Sequence, residues 1–306
     1  MNELGLNCLR WVQEIRTPEG EAFFLRVTEW GEGFWLMAIL GVVFWVWGGR
    51  VAYRAGLALM VGELFGSVLK NIFKIPRAWV RDETLLPVEG ARWGAFGYSF
   101  PSGHATGSAL LGGGIAVASR RWWLWLPALL WMGLVGISRV YLGVHTPVDV
   151  AGGWLLAAVV VGLAVWAVNW MEAEDWRSWA VMGGAVLLAL AGIWLIRRQP
   201  LPEGASWFDH GRDTYRAGVA LLAFVASWHI ERTRIRYQPE RLGAFRILAV
   251  VVGVVVLALM ARHLRRLLAF WLGPHGAMYV QAAAGPLWIF VVWPYFLKGL
   301  EKPEAR

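Results

Sequence analysis

Residues 147–168 read Pro-Val-Asp-Val-Ala-Gly-Gly-Trp-Leu-Leu-Ala-Ala-Val-Val-Val-Gly-Leu-Ala-Val-Trp-Ala-Val, with Asp149 the only charge in the stretch. A membrane-spanning helix needs about 17–25 predominantly apolar residues, so this run is long enough to cross a bilayer. It opens on helix-start signals: Thr146 as N-cap, Pro147 at the first helical position and an acid at the third. Backbone groups in hydrocarbon must be satisfied within their own element, so the run reads as a helix. The period-two alternation of a membrane β-strand is missing.

Working outward, runs of the same kind occur at 34–49, 51–73, 105–118, 122–138, 179–196, 214–230, 244–261 and 277–297. The expected fold is therefore all-α, a polytopic membrane helical bundle of nine spans. Composition agrees: 58% of the 306 residues are apolar and 16% charged, which excludes a disordered chain, a collagen, a disulfide scaffold and a soluble enzyme. Cys8 stands alone, so it makes no intrachain disulfide and no cysteine-based zinc site. The net charge of +8 lies at run ends, which points to a membrane surface and membrane lipids and not to nucleic acid. Tryptophans such as Trp45, Trp47, Trp122, Trp123 and Trp170 crowd the same ends, as an interfacial belt requires. Residues 1–30 interleave Glu3, Arg10, Glu14, Arg16 and Arg26 with apolar positions, an interfacial amphipathic segment. Arg232, Arg234, Arg236, Arg241 and Arg246 fill one short loop, which the positive-inside rule places in the cytoplasm.

Three polar clusters break the pattern, and ionisable groups at membrane depth cost about 2.5–3.5 kcal/mol each. Lys70 and Arg77 lie seven residues apart, with Glu63 a further seven back on the Lys70 face. Pro76 ends the helix before Arg77, which then sits on a loop. Snorkelling bases closing a span would look the same. In Pro101-Ser102-Gly103-His104, Ser102 is a plausible N-cap and the helix end behind it an anion site. Gly103 lets a ligand approach the backbone, and His104 lies in the first turn. The third cluster runs from Ser138-Arg139 to His145 and Asp149. Asp149, four residues after His145, is placed to reach back to the imidazole, fixing its tautomer and raising the basicity of the other nitrogen. Counting spans puts all three clusters on one membrane face. Cations, helix N–H groups, a nucleophile and a proton donor are what phosphoryl transfer needs.

The three clusters together resemble the signature of the type 2 phosphatidic acid phosphatase (PAP2) superfamily of integral-membrane lipid phosphatases. That signature is Lys with Arg-Pro seven residues on, then Pro-Ser-Gly-His, then Ser-Arg, five residues, His, three residues, Asp. One position departs, Ala78 standing where the family has Pro. The resemblance implies that His145 attacks phosphorus to form a phosphohistidine, oriented by Asp149. His104 would protonate the leaving oxygen and then activate water. Lys70, Arg77, Ser102, Gly103 and Arg139 would bind the phosphate, and no metal or other cofactor is implied.

The family further implies a six-helix catalytic core, here 31–196, with about three additional C-terminal spans in 197–306. Expected substrates are phosphatidate, phosphatidylglycerol phosphate, undecaprenyl pyrophosphate or a sphingoid phosphate. The expected location is a bacterial cytoplasmic membrane, with the site on the extracytoplasmic face. A lipid phosphotransferase using the same intermediate, or a non-catalytic lipid-phosphate binder or transporter, remains an alternative. The stretch Arg197–Arg216, with Pro200, Pro202, Glu203, Asp209 and His210, is expected to cover or select the head group.

Overall fold

In the computed structural model, the residues described are 3–92, 94–95, 97–172, 174–200 and 207–301. They form helices and connecting turns, with no strand among the described residues. The chain is an integral-membrane helical bundle. Two helices, α1 (Glu3–Glu14) and α2 (Pro18–Glu29), precede α3 (Gly33–Trp47) and the long α4 (Gly49–Phe73). Two single turns, α5 (Ala78–Arg81) and α6 (Glu89–Arg92), lead to α7 (Gly103–Ser119), α8 (Trp125–Tyr141) and α9 (Pro147–Met171). The rest comprises α10 (Asp175–Arg198), α11 (Trp207–Ile230), α12 (Phe245–Leu259), α13 (Arg265–Leu287) and α14 (Trp293–Lys298).

All nine apolar runs of the sequence fall on helices. By length and composition, however, five helical segments among the described residues qualify as spans, or six if the pair α2–α3, bent by 50°, counts as one. The shortfall from nine has physical causes. Helix α3 has only 15 residues, and α7 has 17, several of them Gly, Ser or Thr. The runs at 244–261 and 277–297 belong to one candidate segment, Phe245–Lys298, broken at Gly273, whose φ of 68° no helix accommodates.

The bundle centres on α4, α7 and α9, which pack on one another, while α11 packs on α4, α10 and α13. Small residues allow the close approaches. A Cβ at Gly114 would lie 3.0 Å from the Ala55 backbone, and one at Gly153 would lie 2.5 Å from Thr106 Oγ1. Helices α1 and α2 do not stand apart from the bundle: both pack on α8, and Thr17 N donates to Tyr141 Oη at 3.1 Å.

Candidate active site

Each sequence motif ends or begins a helix, and those helix ends converge. Helix α4 stops at Phe73, with Lys74 in the left-handed region and Pro76 following, which leaves Lys70 in the last turn. Arg77 then becomes the N-cap of α5, and Ala78 its first, buried residue. Ser99 N donates to Ile75 O at 2.8 Å, which ties this corner to the loop before α7. Ser102 is the N-cap of α7, but its hydroxyl does not cap: Oγ is buried without a partner. Arg139 occupies the last turn of α8, and its carbonyl accepts from Val144 N and His145 N, folding the loop back under the helix. The capping box at the start of α9 is complete. Asp149 N donates to Thr146 Oγ1, and Thr146 N donates to Asp149 Oδ2 at 2.8 Å.

His145 is 2% exposed, and its two ring nitrogens have different neighbours. Arg77 Nη1 donates to Nε2 at 2.9 Å. A guanidinium only donates, so Nε2 accepts and the ring proton belongs on Nδ1. Nδ1 faces Asp149 Oδ2 at 3.6 Å, a close electrostatic contact somewhat long for a hydrogen bond. Asp149 Oδ2 also accepts from Ser99 Oγ at 2.7 Å, so the carboxylate is held on three sides. Burial first, then the charge of Arg77, holds His145 well below the usual imidazole range, and the ring is neutral at pH 7. A neutral imidazole with a lone pair on Nε2 is the nucleophilic form.

Arg77 is the cation at that nitrogen, and Lys70 and Arg139 line the same cavity. Arg77 also donates from Nη1 to Val144 O at 2.9 Å and from Nε to Gly97 O at 3.1 Å. Arg139 is 3% exposed, and its Nη1 donates to Thr28 Oγ1 at 2.6 Å. Among the described residues no carboxylate lies within 4.0 Å of Lys70 or Arg139. Lys70, Arg77, Gly103, His104, Arg139 and His145 line one cavity of about 590 Å³. Ser102 and Asp149 stand behind its wall, and a Cβ on Gly103 would lie 4.0 Å from Lys70 Nζ. All eight residues singled out in the sequence thus occur at one place. No group of three or more His, Cys, Asp or Glu suited to a metal ion occurs among the described residues.

Sequence reasoning missed several neighbours. Thr28 of α2 holds Arg139 from a segment read only as interfacial, and Ser99 buttresses Asp149. A lone Thr or Ser carries no spacing signal that would have marked either. Within the stretch Arg197–Arg216, expected from the sequence to cover or select the head group, Arg212, Asp213 and Arg216 of α11 face the cavity, with Asp213 Oδ1 lying 3.7 Å from Arg212 Nε. Of the stretch expected to cover the head group, Pro202 and Glu203 lie outside the described residues, as do the side chains of Asp209 and His210.

Residues 51–173 match the family model described as PAP2 superfamily, so the resemblance carried by the motifs is borne out over that segment. The chain is 32% identical over 117 residues to an undecaprenyl-diphosphatase of Sulfolobus acidocaldarius, covering 37% of this chain and 54% of that protein. An undecaprenyl-diphosphatase of Bacillus subtilis is 29% identical over 131 residues, covering 41% and 63% respectively. Lipid phosphate phosphatase delta of Arabidopsis thaliana is 25% identical over 172 residues, 52% of this chain and 41% of the relative. The chain therefore spans less than two-thirds of each of these relatives. No solved structure matches it.

Proposed function

We propose that the protein is a metal-independent lipid phosphate phosphatase acting through a phosphohistidine on His145. The observation that carries this reading is the Arg77–His145–Asp149 line. One nitrogen of a buried neutral imidazole is aimed, with a guanidinium, into a cationic cavity, while the other faces a fixed carboxylate. A site that only bound phosphate would need the cations but no oriented imidazole.

The reaction follows from the positions. Lys70, Arg77 and Arg139 take up the charge of the phosphoryl oxygens, together with Ser102 Oγ and the N–H groups opening α7. As the Arg77 N–H shifts from Nε2 to a phosphoryl oxygen, the freed Nε2 lone pair attacks phosphorus and the ester or anhydride P–O bond breaks. Charge grows on the imidazole, and Asp149 stabilises it across Nδ1–H. His104, in the first turn of α7 on the same cavity, takes up a proton as the bound phosphate offsets the charge of Arg139, Lys70 and Arg77 around it, and gives that proton to the departing oxygen. It then takes one from the water that breaks the P–N bond, releasing phosphate and restoring both histidines.

Substrates of this reading are lipid phosphomonoesters or pyrophosphates: phosphatidate, phosphatidylglycerol phosphate, undecaprenyl pyrophosphate or a sphingoid phosphate. The printed names of the relatives span both kinds. We assign the catalytic unit to 31–196 and an added region to 197–306, in the cytoplasmic membrane of a bacterium. The Arg232–Arg246 loop on the opposite side supports an extracytoplasmic site. The test is phosphate release in detergent from a panel of these lipids, with His145→Ala as control. The variant is expected to lose at least about 10³-fold in rate. Equal release by both proteins refutes the assignment. Acid-labile, base-stable ³²P labelling of the wild type alone tests the intermediate.

A further inference from the structure

The cavity does not end at the phosphate-binding groups. It continues between α3 and α4 on one side and α12 and α13 on the other, and there its lining is mostly apolar, with Glu63 of α4 and Gln281 of α13 among the polar exceptions, Gln281 Nε2 donating to Ala261 O at 2.7 Å. Leu257 of α12 and Met278 of α13 line it, with Met260 and Leu264 between them. Met37 and Met60 face them from α3 and α4. Four of the chain's eight methionines thus border one space. Methionine is unbranched and polarizable, and it suits a surface that must fit a flexible chain of varied shape.

The backbone is irregular at the same place. Met260–Leu264 is a π-helical turn, a local widening of the helix that is frequent at functional sites, and of the three such turns among the described residues it is the one that lines the cavity. It turns Met260, Ala261 and Leu264 together to the cavity. None of these C-terminal residues falls within the family-matched segment 51–173. Arg212, Asp213 and Arg216 line the same cavity, with Asp213 close enough for its charge to act on Lys70 and Arg77.

From this we infer that α12, its π-turn and α13 form the tail-binding half of the active site, so the C-terminal region selects the hydrocarbon chain of the lipid phosphate. The inference rests on the phosphatase reading for the head group. It adds that the substrate is bound by its tail and not only by its phosphate. Ala282, on the α13 wall, is the position at which to fill the space. Val255, on the exposed face of α12, is the matching control.

The experiment compares dipalmitoyl with water-soluble dihexanoyl phosphatidate on the full-length protein. Ala282→Phe is expected to lower kcat/KM for the long-chain ester by about 10-fold or more, relative to the short-chain one. Leu264→Trp should do the same from the π-turn that joins α12 to α13, and Val255→Phe should leave the ratio as in the wild type. An unchanged ratio in both cavity variants overturns the inference. Its independence from turnover comes from a second arm. A phosphatidate carrying a diazirine mid-chain is photolysed with the His145→Ala protein, and cross-links are expected within 245–287. Cross-links confined to α7–α10 overturn the tail assignment even if phosphate release succeeds. A failure of phosphate release with cross-links in 245–287 overturns the phosphatase reading and leaves the tail site standing.

Discussion

Replacing Asp149 with Asn separates what this carboxylate does for the fold from what it does for the chemistry. The structural duties fall on one oxygen, Oδ2, which accepts from Thr146 N at 2.8 Å and Ser99 Oγ at 2.7 Å. An amide oxygen at the same position accepts both, so Asn keeps the cap, and stability should change by less than about 1 kcal/mol. The charge is lost. In the reaction His145 becomes cationic with Nδ1 3.6 Å from that oxygen, both groups being almost fully buried. At an effective dielectric of about 20, a pair at that distance is worth roughly 4–5 kcal/mol, equivalent to about three powers of ten in rate. The expected result is a fall in kcat of about 10³-fold in a lipid-phosphate release assay, with KM within about threefold. Asp149→Ala is the comparison. It strands a buried N–H and a buried hydroxyl, each costing about 1–3 kcal/mol, so it should also lower the thermal midpoint by several degrees. A kcat for Asp149→Asn within threefold of wild type would refute the electrostatic role. A loss of stability as large as that of the Ala variant would refute the separation itself.

Three other outcomes follow from single contacts. Ser102 Oγ is buried without a partner, so Ser102→Ala should leave the thermal midpoint unchanged or slightly raised while kcat/KM falls about tenfold. A Cβ at Gly153 would meet Thr106 Oγ1 at 2.5 Å and Ser102 O at 3.1 Å, so Gly153→Ala should cost about 1–3 kcal/mol in denaturant unfolding and also slow turnover by shifting the start of α7. On the opposite side of the bundle, Glu231 accepts from Tyr53 Oη and Tyr237 N, and burial raises its pKa from 4.5 to about 7. The folded protein therefore holds this proton more tightly than the unfolded chain. The contribution is fully present below about pH 4.5 and is lost as the pH rises through about 7, a change of about 3 kcal/mol. Glu231→Gln should flatten that part of a pH series of melting curves. An unchanged slope would show that the proton is held elsewhere.

How much of this was legible in the sequence depends on how local the determining forces are. Thr146-Pro147-Val148-Asp149 gives a helix start because the cap is satisfied within four residues, and the structure closes that box as the spacing implies. Pro76 likewise ends α4 by its own sterics. Positions that depend on tertiary contact gave no such signal. Ser102 occupies the N-cap position, yet its hydroxyl is withheld from the cap and left beside the cavity. Thr28 is one threonine in an amphipathic helix until α2 leans on α8 and presents it to Arg139. The span count suffered for a related reason. Apolar runs report burial in hydrocarbon and helix together, whereas α7 lies in the bundle centre and is built of small and polar residues.

The charges at membrane depth show the same limit from the other direction. Glu63 reads as a costly intruder in an apolar run, and within α4 alone only Lys70, two turns on, offers it an opposite charge. In the fold, Glu63, Lys70 and Arg216 of α11 face one cavity, with Asp213 bringing a second acid close to Lys70 and Arg77. The acids and bases therefore alternate across the join between the family-matched segment and the C-terminal helices. An acid placed so close to the clamp limits the mutual repulsion of its cations, while among the described residues no carboxylate pairs with Lys70 or Arg139. That leaves Lys70 and Arg139 able to meet a phosphate with their charge unspent. By this argument the C-terminal region is electrostatically part of the catalytic cavity and not only an apolar wall. Neutralising Asp213 should then tighten the binding of inorganic phosphate or vanadate, read as a lower inhibition constant. An unchanged or weaker inhibition in Asp213→Asn would mean that α11 is an electrostatic bystander.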